Sequence, residues 1–213
     1  MRVYAYFHAG SKNHGCEAIV RTTQELLSDK MTLFSFSPEE DKEYGVDKIV
    51  SLGKLERSEY TFLDKVVCAL SERIAKTEKF SYDVRAKHET DRLSQGGIAL
   101  AIGGDNYCYG EAYNYHLSAL NYYLHKKKMK TVLWGCSIEP EQVTDFMRKD
   151  FSRYDLIVAR ESISYETLKQ YNSNTILVCD PAFNLKTEYL PLPDKFIPCL
   201  LYTSPSPRDL STS

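Results

Sequence analysis

The chain has 213 residues, of which 43% are hydrophobic and 26% are charged, a composition that argues against disordered and collagen-like classes. Its 27 Lys and Arg against 29 Asp and Glu give a formal net charge of −2, so no overall basic field exists to hold nucleic acid. At about 150 residues per domain, one complete domain fits this length comfortably, and two fit only if both are small. No apolar run approaches the ~18 residues needed to span a bilayer.

The N-terminal part of the chain predicts the start of an α/β fold. Residues 2–7 are rich in aromatic and β-branched residues, which is typical of a strand, and the polar loop HAGSKNHG follows them. Residues 16–28 carry apolar residues at helical spacing, with Glu17 in the first turn. Residues 31–37 predict a second strand, after which a polar stretch containing Pro38 leads to a short apolar segment.

The segment 62–93 predicts two helices that are broken near residues 77–81. Apolar side chains recur at helical spacing on one face of this segment, namely Leu63, Val66, Val67, Leu70 and Ile74. We expect its lysines and glutamates to form the solvated side of the helices rather than a specific binding surface.

The second half of the chain alternates strands with helices. Strands are predicted at 98–106, where the strand ends in a glycine turn, and at 131–136, 155–159 and 175–179, with helices at 111–125, 141–153 and 162–171. This alternation predicts one α/β domain with a doubly wound, mainly parallel, Rossmann-like sheet and right-handed crossovers.

Ligands of such sheets bind outside the carboxyl ends of the strands, so the turn after each strand is a candidate site. The first turn contains two glycines that let the backbone approach a ligand, and the helix start that follows offers free amides to an anion or a sugar hydroxyl. Its spacing matches neither the dinucleotide fingerprint nor the phosphate-binding loop of nucleotide-binding proteins. An ordinary βα turn is the alternative interpretation. The candidate residues here are Asn13, Gly15 and Glu17.

Later turns add carboxylate, amide and guanidinium groups. Gly103 and Gly104 are followed by Asp105 and Asn106, which either face the cleft or cap a helix, and the two roles are compatible. Arg160 ends another strand, where its guanidinium could bind a carboxylate or phosphate through two hydrogen bonds. A salt bridge with Glu161 or a neighbouring acid is the alternative. The remaining candidates are Ser137 and Asp180.

The six cysteines form no C-x-x-C pair and no cluster with histidines. This spacing predicts reduced thiols in a cytoplasmic protein and no metal site.

Five short motifs follow one another at the predicted turns: N-x-G-C-E-A, G-G-D-N, W-G-C-S-I-E-P, A-R-E-S and C-D-P-A-F. Together they resemble the polysaccharide pyruvyl transferase family over residues 3 to about 184. Cys16 stands where the first motif of the family usually has an acid. The resemblance implies a fold like that of the GT-B glycosyltransferases, with the active site between two Rossmann-like lobes, of which residues 1–198 would form the N-terminal one.

The resemblance also implies an activity. Such enzymes transfer an enolpyruvyl group from phosphoenolpyruvate to two hydroxyls of a sugar, which gives a pyruvate ketal on a cell-surface polysaccharide or its precursor, and we expect no cofactor and no metal. By this analogy the first-turn residues, with Asp105 and Asn106, line the acceptor side, and Arg160 faces the donor anion. The general acid and most donor-binding cations would lie in a C-terminal lobe that this chain lacks, so we expect the chain alone to be inactive.

The last residues, 199–213, are rich in serine, threonine and proline, which favours a disordered tail. Residues 199–209, CLLYTSPSPRD, look like translated sequencing-adapter read-through, and a flexible extension is the plainer alternative. Two other functions stay open at this point. One is a GT-B glycosyltransferase or nucleotide-sugar enzyme, and the other is a non-catalytic binding module of a polysaccharide assembly complex.

Overall fold

The computed structural model describes residues 1–55, 60–75 and 77–186. Its core is a seven-stranded sheet in which every pairing is parallel. The strands are β1 (Val3–His8), β2 (Thr32–Ser35), β3 (Ser51–Gly53), β4 (Ile98–Ile102), β5 (Lys130–Cys136), β6 (Leu156–Ala159) and β7 (Thr175–Leu177). Their order, β3-β2-β1-β4-β5-β6-β7, confirms the predicted doubly wound α/β fold.

Helices cover both faces of this sheet. They are α1 (His14–Glu25), α2 (Pro38–Glu43), α3 (Phe62–Leu70), α4 (Lys79–Thr90), α5 (Glu111–Lys126), α6 (Asp145–Phe151) and α7 (Ser162–Lys169). Because side chains alternate along a strand, Ala99 and Ala101 of β4 pack into one core, while Leu100 and Ile102 pack into the other. Two hydrophobic cores therefore hold the single sheet between them.

The strand order reverses between β1 and β4. From β1 the chain moves outward to β2 and β3, and it then returns across α3 and α4 to place β4 on the other side of β1. At such a switch point the loops from neighbouring strands diverge and leave a crevice at the carboxyl edge of the sheet. A ligand site is therefore expected at that edge of the sheet.

A polar cluster lies inside the core beneath the β4 turn. The Tyr107 hydroxyl donates a hydrogen bond of 2.5 Å to Asp150, and the Asn121 amide donates one of 2.9 Å to the other oxygen of this carboxyl group. Tyr107 and Tyr154 share a further hydroxyl contact of 3.0 Å. Burial raises the pKa of Asp150 above its ordinary value, although hydrogen bonds from Tyr107 and Asn121 act in the opposite direction. The cluster joins α5 and α6 to the turn that follows β4.

Two local elements differ from the sequence expectation. The polar stretch after β2 contains a helix, α2, because Pro38 occupies its first turn and three acidic residues there interact favourably with the helix dipole. The apolar stripe of α3 is not buried: Leu63 is 73% exposed and Leu70 is 50% exposed. The reason is that α3 packs against α4, which itself packs against α5, so α3 forms an outer layer.

The predicted boundary at residue 198 and the predicted tail at 199–213 lie outside the described residues. Within the described part of the chain, every helix is too short or too polar to traverse a lipid bilayer.

Candidate functional site

The turn after β1 builds the start of α1. The Asn13 side chain accepts hydrogen bonds from the backbone N–H groups of Gly15 (3.1 Å) and Cys16 (3.3 Å), which makes Asn13 the N-cap. Glu17 pairs with Arg21 at 2.7 Å and also contacts His14. The local geometry is that of a well-capped βα turn, and ligand binding by these residues stays a prediction.

The Gly-Gly turn after β4 is shaped by close contacts. Gly103 has a φ of +146°, and a Cβ there would overlap the Asn106 side chain. A Cβ at Gly104 would overlap the guanidinium of Arg160, so only glycine lets this side chain cross the turn. Asn106 is buried, and its amide nitrogen has no hydrogen-bond partner among the described residues. The turn therefore leaves one buried donor unsatisfied beside the site.

Arg160 connects the tips of three strands with the segment after β7. Its Nε donates to the Ser137 hydroxyl at 2.7 Å, and its Nη1 donates to Asp180 at 2.9 Å. Its Nη2 lies 3.6 Å from Asp105, which is a looser ion pair. Asp180 is itself fixed, because its other oxygen accepts the backbone N–H of Ala182 at 2.8 Å. The structure thus brings together four of the predicted site residues, with the Gly-Gly turn beside them.

These residues border a cavity of about 500 Å³, here called the Arg160 cavity. The charged side chains that line it are Arg160, Asp105, Glu139, Glu141 and Glu161. Glu161 is the N-cap of α7 rather than the partner of Arg160, because its carboxylate accepts the N–H groups of Ile163 and Ser164. The four carboxylates among its described lining residues can accept hydrogen bonds from hydroxyl groups, and the guanidinium of Arg160 can bind an anionic group.

Two cysteines, Cys16 on α1 and Cys108 in the turn after β4, are influenced by the charges of Asp105 and Arg160. Burial and the nearby negative charge of Asp105 raise the pKa of the Cys16 thiol, with Arg160 acting in the opposite direction. Burial and Asp105 likewise raise the pKa of Cys108. Because the thiolate is the reactive form, neither cysteine is prepared to act as a nucleophile.

A larger cavity of about 870 Å³ lies beside the other half of the sheet, next to β1, β2 and β3. The sequence analysis named none of the polar residues that line it. They come mainly from α2 and α4, whose charged positions the sequence pattern assigns to a solvated face. The sequence carries one local indication of this cavity, because Arg85 and Glu89 lie four residues apart and can pair on one side of a helix.

None of the described residues forms a group of three or more His, Cys, Asp or Glu side chains that could hold a metal ion. The five cysteines in the described part of the chain are free thiols.

Comparison with known proteins gives one assignment. A family model described as polysaccharide pyruvyl transferase matches residues 13–209 of the chain. No curated protein matches the chain.

Proposed function

The chain belongs to the polysaccharide pyruvyl transferase family, and from this premise we propose that it serves the transfer of an enolpyruvyl group from phosphoenolpyruvate to a sugar of a cell-surface polysaccharide or its precursor. The observation that carries the proposal is the convergence of Ser137, Asp105 and Asp180 on the single guanidinium of Arg160 at the carboxyl edge. A cluster of this kind at the carboxyl edge of an open α/β sheet is where a substrate is expected.

The reaction balances without a cofactor. Two sugar hydroxyls form two C–O bonds to C2 of the enolpyruvyl group, and the bond from C2 to the phosphate oxygen breaks. One hydroxyl proton is balanced by protonation of the methylene carbon, which becomes a methyl group, and the other by the phosphate that leaves. The enzyme must therefore hold hydroxyls next to a proton acceptor and hold an anionic donor next to a cation.

Asp105 is the residue we assign to the acceptor. Its side chain is half exposed in the Arg160 cavity, and its carboxylate can accept a hydrogen bond from a sugar hydroxyl. The unsatisfied amide of Asn106 lies beside it and can donate to a sugar oxygen. A hydroxyl-rich ligand fits this acid-rich cavity without the need to neutralise charge.

Arg160 is the residue we assign to the donor. The short bonds to Ser137 and Asp180 hold its guanidinium in position, while the contact of 3.6 Å to Asp105 is long enough to be replaced. A donor phosphate or carboxylate would take the place of Asp105 at Nη2 and release that carboxylate toward the acceptor. Donor binding and activation of the sugar would then be coupled through one side chain.

The test is the affinity of the 213-residue chain for phosphoenolpyruvate, measured by isothermal titration calorimetry. We expect Arg160→Ala to weaken binding about tenfold or more, the scale of one lost charge-assisted contact. Arg148→Ala is the matched control, because Arg148 pairs with Asp145 on α6 and lies outside the cavity. Unchanged affinity in Arg160→Ala would remove Arg160 from the donor site. Thermal stabilisation by nucleotide-sugars and not by phosphoenolpyruvate would overturn the function itself.

We also propose a cytoplasmic location, which suits the free thiols. A second lobe that supplies the general acid stays a prediction.

A further inference from the structure

A cavity of about 870 Å³ shares no lining residue with the Arg160 cavity, and we call it the basic groove. Its floor is formed by the ends of β1, β2 and β3, and its walls by α2, α4 and α5. Its volume is in the range of small-molecule sites, roughly 300–1,000 Å³. The groove is therefore large enough for a sugar unit with a charged substituent.

A strained residue shapes the inner end of the groove. Phe7 has a φ of +69°, a conformation that is uncommon for a bulky side chain, and the pairing of β1 with β2 shifts register between Ala5 and His8. The result is that the Phe7 ring meets Phe36 at 5.3 Å and His116 at 5.5 Å between ring centroids. Backbone strain of this kind concentrates at ligand sites. Phe7 itself is buried, and the ring of Phe36, which is 46% exposed, offers the surface on which the apolar face of a sugar ring can stack.

The groove presents an oriented guanidinium. Glu89 is buried and accepts hydrogen bonds from Arg85 Nε and from His116 Nε2, both at 2.7 Å. The Nε contact fixes the plane of the Arg85 side chain. Both Nη nitrogens of Arg85 are without a hydrogen-bond partner among the described residues, so the outer fork remains available to an oxyanion.

Cations predominate among the described residues that line the groove. They are Lys42, Lys54, Arg85 and Arg92, against two acids in the same part of the chain. One acid is Glu89, which is occupied as described above, and the other is Glu39, whose side chain is 81% exposed at the rim. Lys54 forms no ion pair with any residue that the structure describes. Cations thus outnumber acids here, the reverse of the Arg160 cavity.

We propose that the basic groove binds an acidic saccharide, with the phosphate or carboxylate of that saccharide on Arg85 and Lys54 and its ring against Phe36. The proposal rests on the proposed function, because it identifies the acceptor as an acidic sugar or the acidic part of a longer precursor. Each of the two sites then binds a different chemical group of the acceptor. The groove takes the anion, and the acid-rich Arg160 cavity takes the hydroxyls.

The experiment is titration of the 213-residue chain with four probes: glucose 1-phosphate, glucuronic acid, glucose and phosphoenolpyruvate. We expect at least one acidic sugar to bind ten times more tightly than glucose, and the comparison of the first two probes identifies phosphate or carboxylate as the preferred group. Lys54→Glu and Arg85→Gln should each weaken that binding about tenfold and leave phosphoenolpyruvate binding unchanged. Lys48→Glu is the matched control, because it makes the same charge change on an exposed residue outside the groove.

Each result of these titrations supports or overturns one of the assignments. Equal affinity for glucose and both acidic sugars, or unchanged affinity for the acidic sugar in Lys54→Glu, overturns the groove. The exposed Lys54 keeps the test valid if Arg85→Gln fails to fold after the loss of the Glu89 partner. Loss of phosphoenolpyruvate binding in Lys54→Glu would mean that the donor, and not an acidic sugar, occupies the groove. Binding of the acidic sugar without any binding of phosphoenolpyruvate would leave the groove intact and overturn the assignment of the donor to Arg160 instead.

Discussion

The two halves of the carboxyl edge are built in opposite ways. Beyond β4, β5 and β6, the polar groups come from the turns that end the strands, and acids outnumber the one cation, Arg160. Beside β1, β2 and β3, most of the polar groups come from covering helices, and cations outnumber acids. The same sheet edge thus offers two sites of opposite charge. Strand topology therefore determines where a site lies, whereas the residues around the site determine which ligand it binds.

The largest expected effect is a loss of stability of the whole fold. Asp150→Ala removes the acceptor of two buried hydrogen bonds and leaves Tyr107 and the Asn121 amide without it. We expect the free energy of unfolding to fall by about 3–5 kcal/mol, the usual result when one partner of a buried charged network is deleted. Urea denaturation followed by circular dichroism measures this. Asp145→Ala on the same helix is the control, because Asp145 is exposed and its ion pair with Arg148 contributes less than about 1 kcal/mol.

A second substitution should weaken ligand binding at the Arg160 cavity and not at the basic groove. Gly104→Ala places a methyl group where the Arg160 guanidinium lies and forces that side chain out of position. We expect phosphoenolpyruvate to bind about tenfold more weakly, while an acidic sugar binds the basic groove with unchanged affinity. Calorimetric titration with both ligands gives the answer. If both affinities fall equally, the two cavities act as one site and the comparison fails.

These two predictions also mark what the sequence could and could not reveal. Glycines and polar residues directly after a strand are local signals, and for that reason the Gly-Gly turn and Arg160 were correctly expected to lie at one edge. The alternative interpretation of Arg160 was an ion pair with Glu161 or a neighbouring acid, and the structure shows the acids Asp180 and Asp105 as its partners. Asp180 lies 20 residues away along the chain, so no spacing rule relates the two side chains.

The basic groove could not be found in the same way. Arg85 and His116 stand on different helices, and Glu89 connects them only after α4 has packed against α5. Helical periodicity assigns these charged positions to a solvated face, and the actual burial of Glu89 depends on a packing arrangement between elements distant in sequence. The exposed stripe of α3 has the same cause, because periodicity identifies an apolar face without specifying what covers it.

A third prediction concerns the pH dependence of the free energy of unfolding. Burial opposes ionisation of Glu89, but the hydrogen bonds and charges of His116 and Arg85 outweigh it and lower the pKa of this carboxyl. A lowered pKa in the folded state means that the unfolded state binds more protons in acid. Glu89 therefore stabilises the fold above its ordinary pKa of about 4.5, and this contribution is lost as the pH falls through the folded value.

Glu89→Gln should flatten the acid part of the stability curve. It should do so only in part, because the lowered pKa values of Asp64 and Asp155 act in the same direction. Urea midpoints between pH 3 and 6 measure the slope, with roughly this window set by the ordinary carboxyl range. An unchanged slope would show that Glu89 does not gain charge stabilisation from the groove. Asp150 supplies the contrast: its raised pKa makes its contribution to stability largest below the ordinary value and weaker as the pH rises.

The smallest effect concerns the turn between the two halves, where two roles of one residue can be separated. Asn13→Ala removes the cap of α1 and should lower the free energy of unfolding by about 1 kcal/mol, whereas Asn13→Asp retains a capping oxygen and should cost much less. If Asn13 only caps the helix, Asn13→Asp binds both phosphoenolpyruvate and an acidic sugar as the parent does. If it also contacts the acceptor, the added negative charge repels the acidic sugar and weakens its binding while stability stays close to that of the parent. Chemical denaturation and calorimetry on the same two variants therefore assign this first turn to the scaffold or to the site.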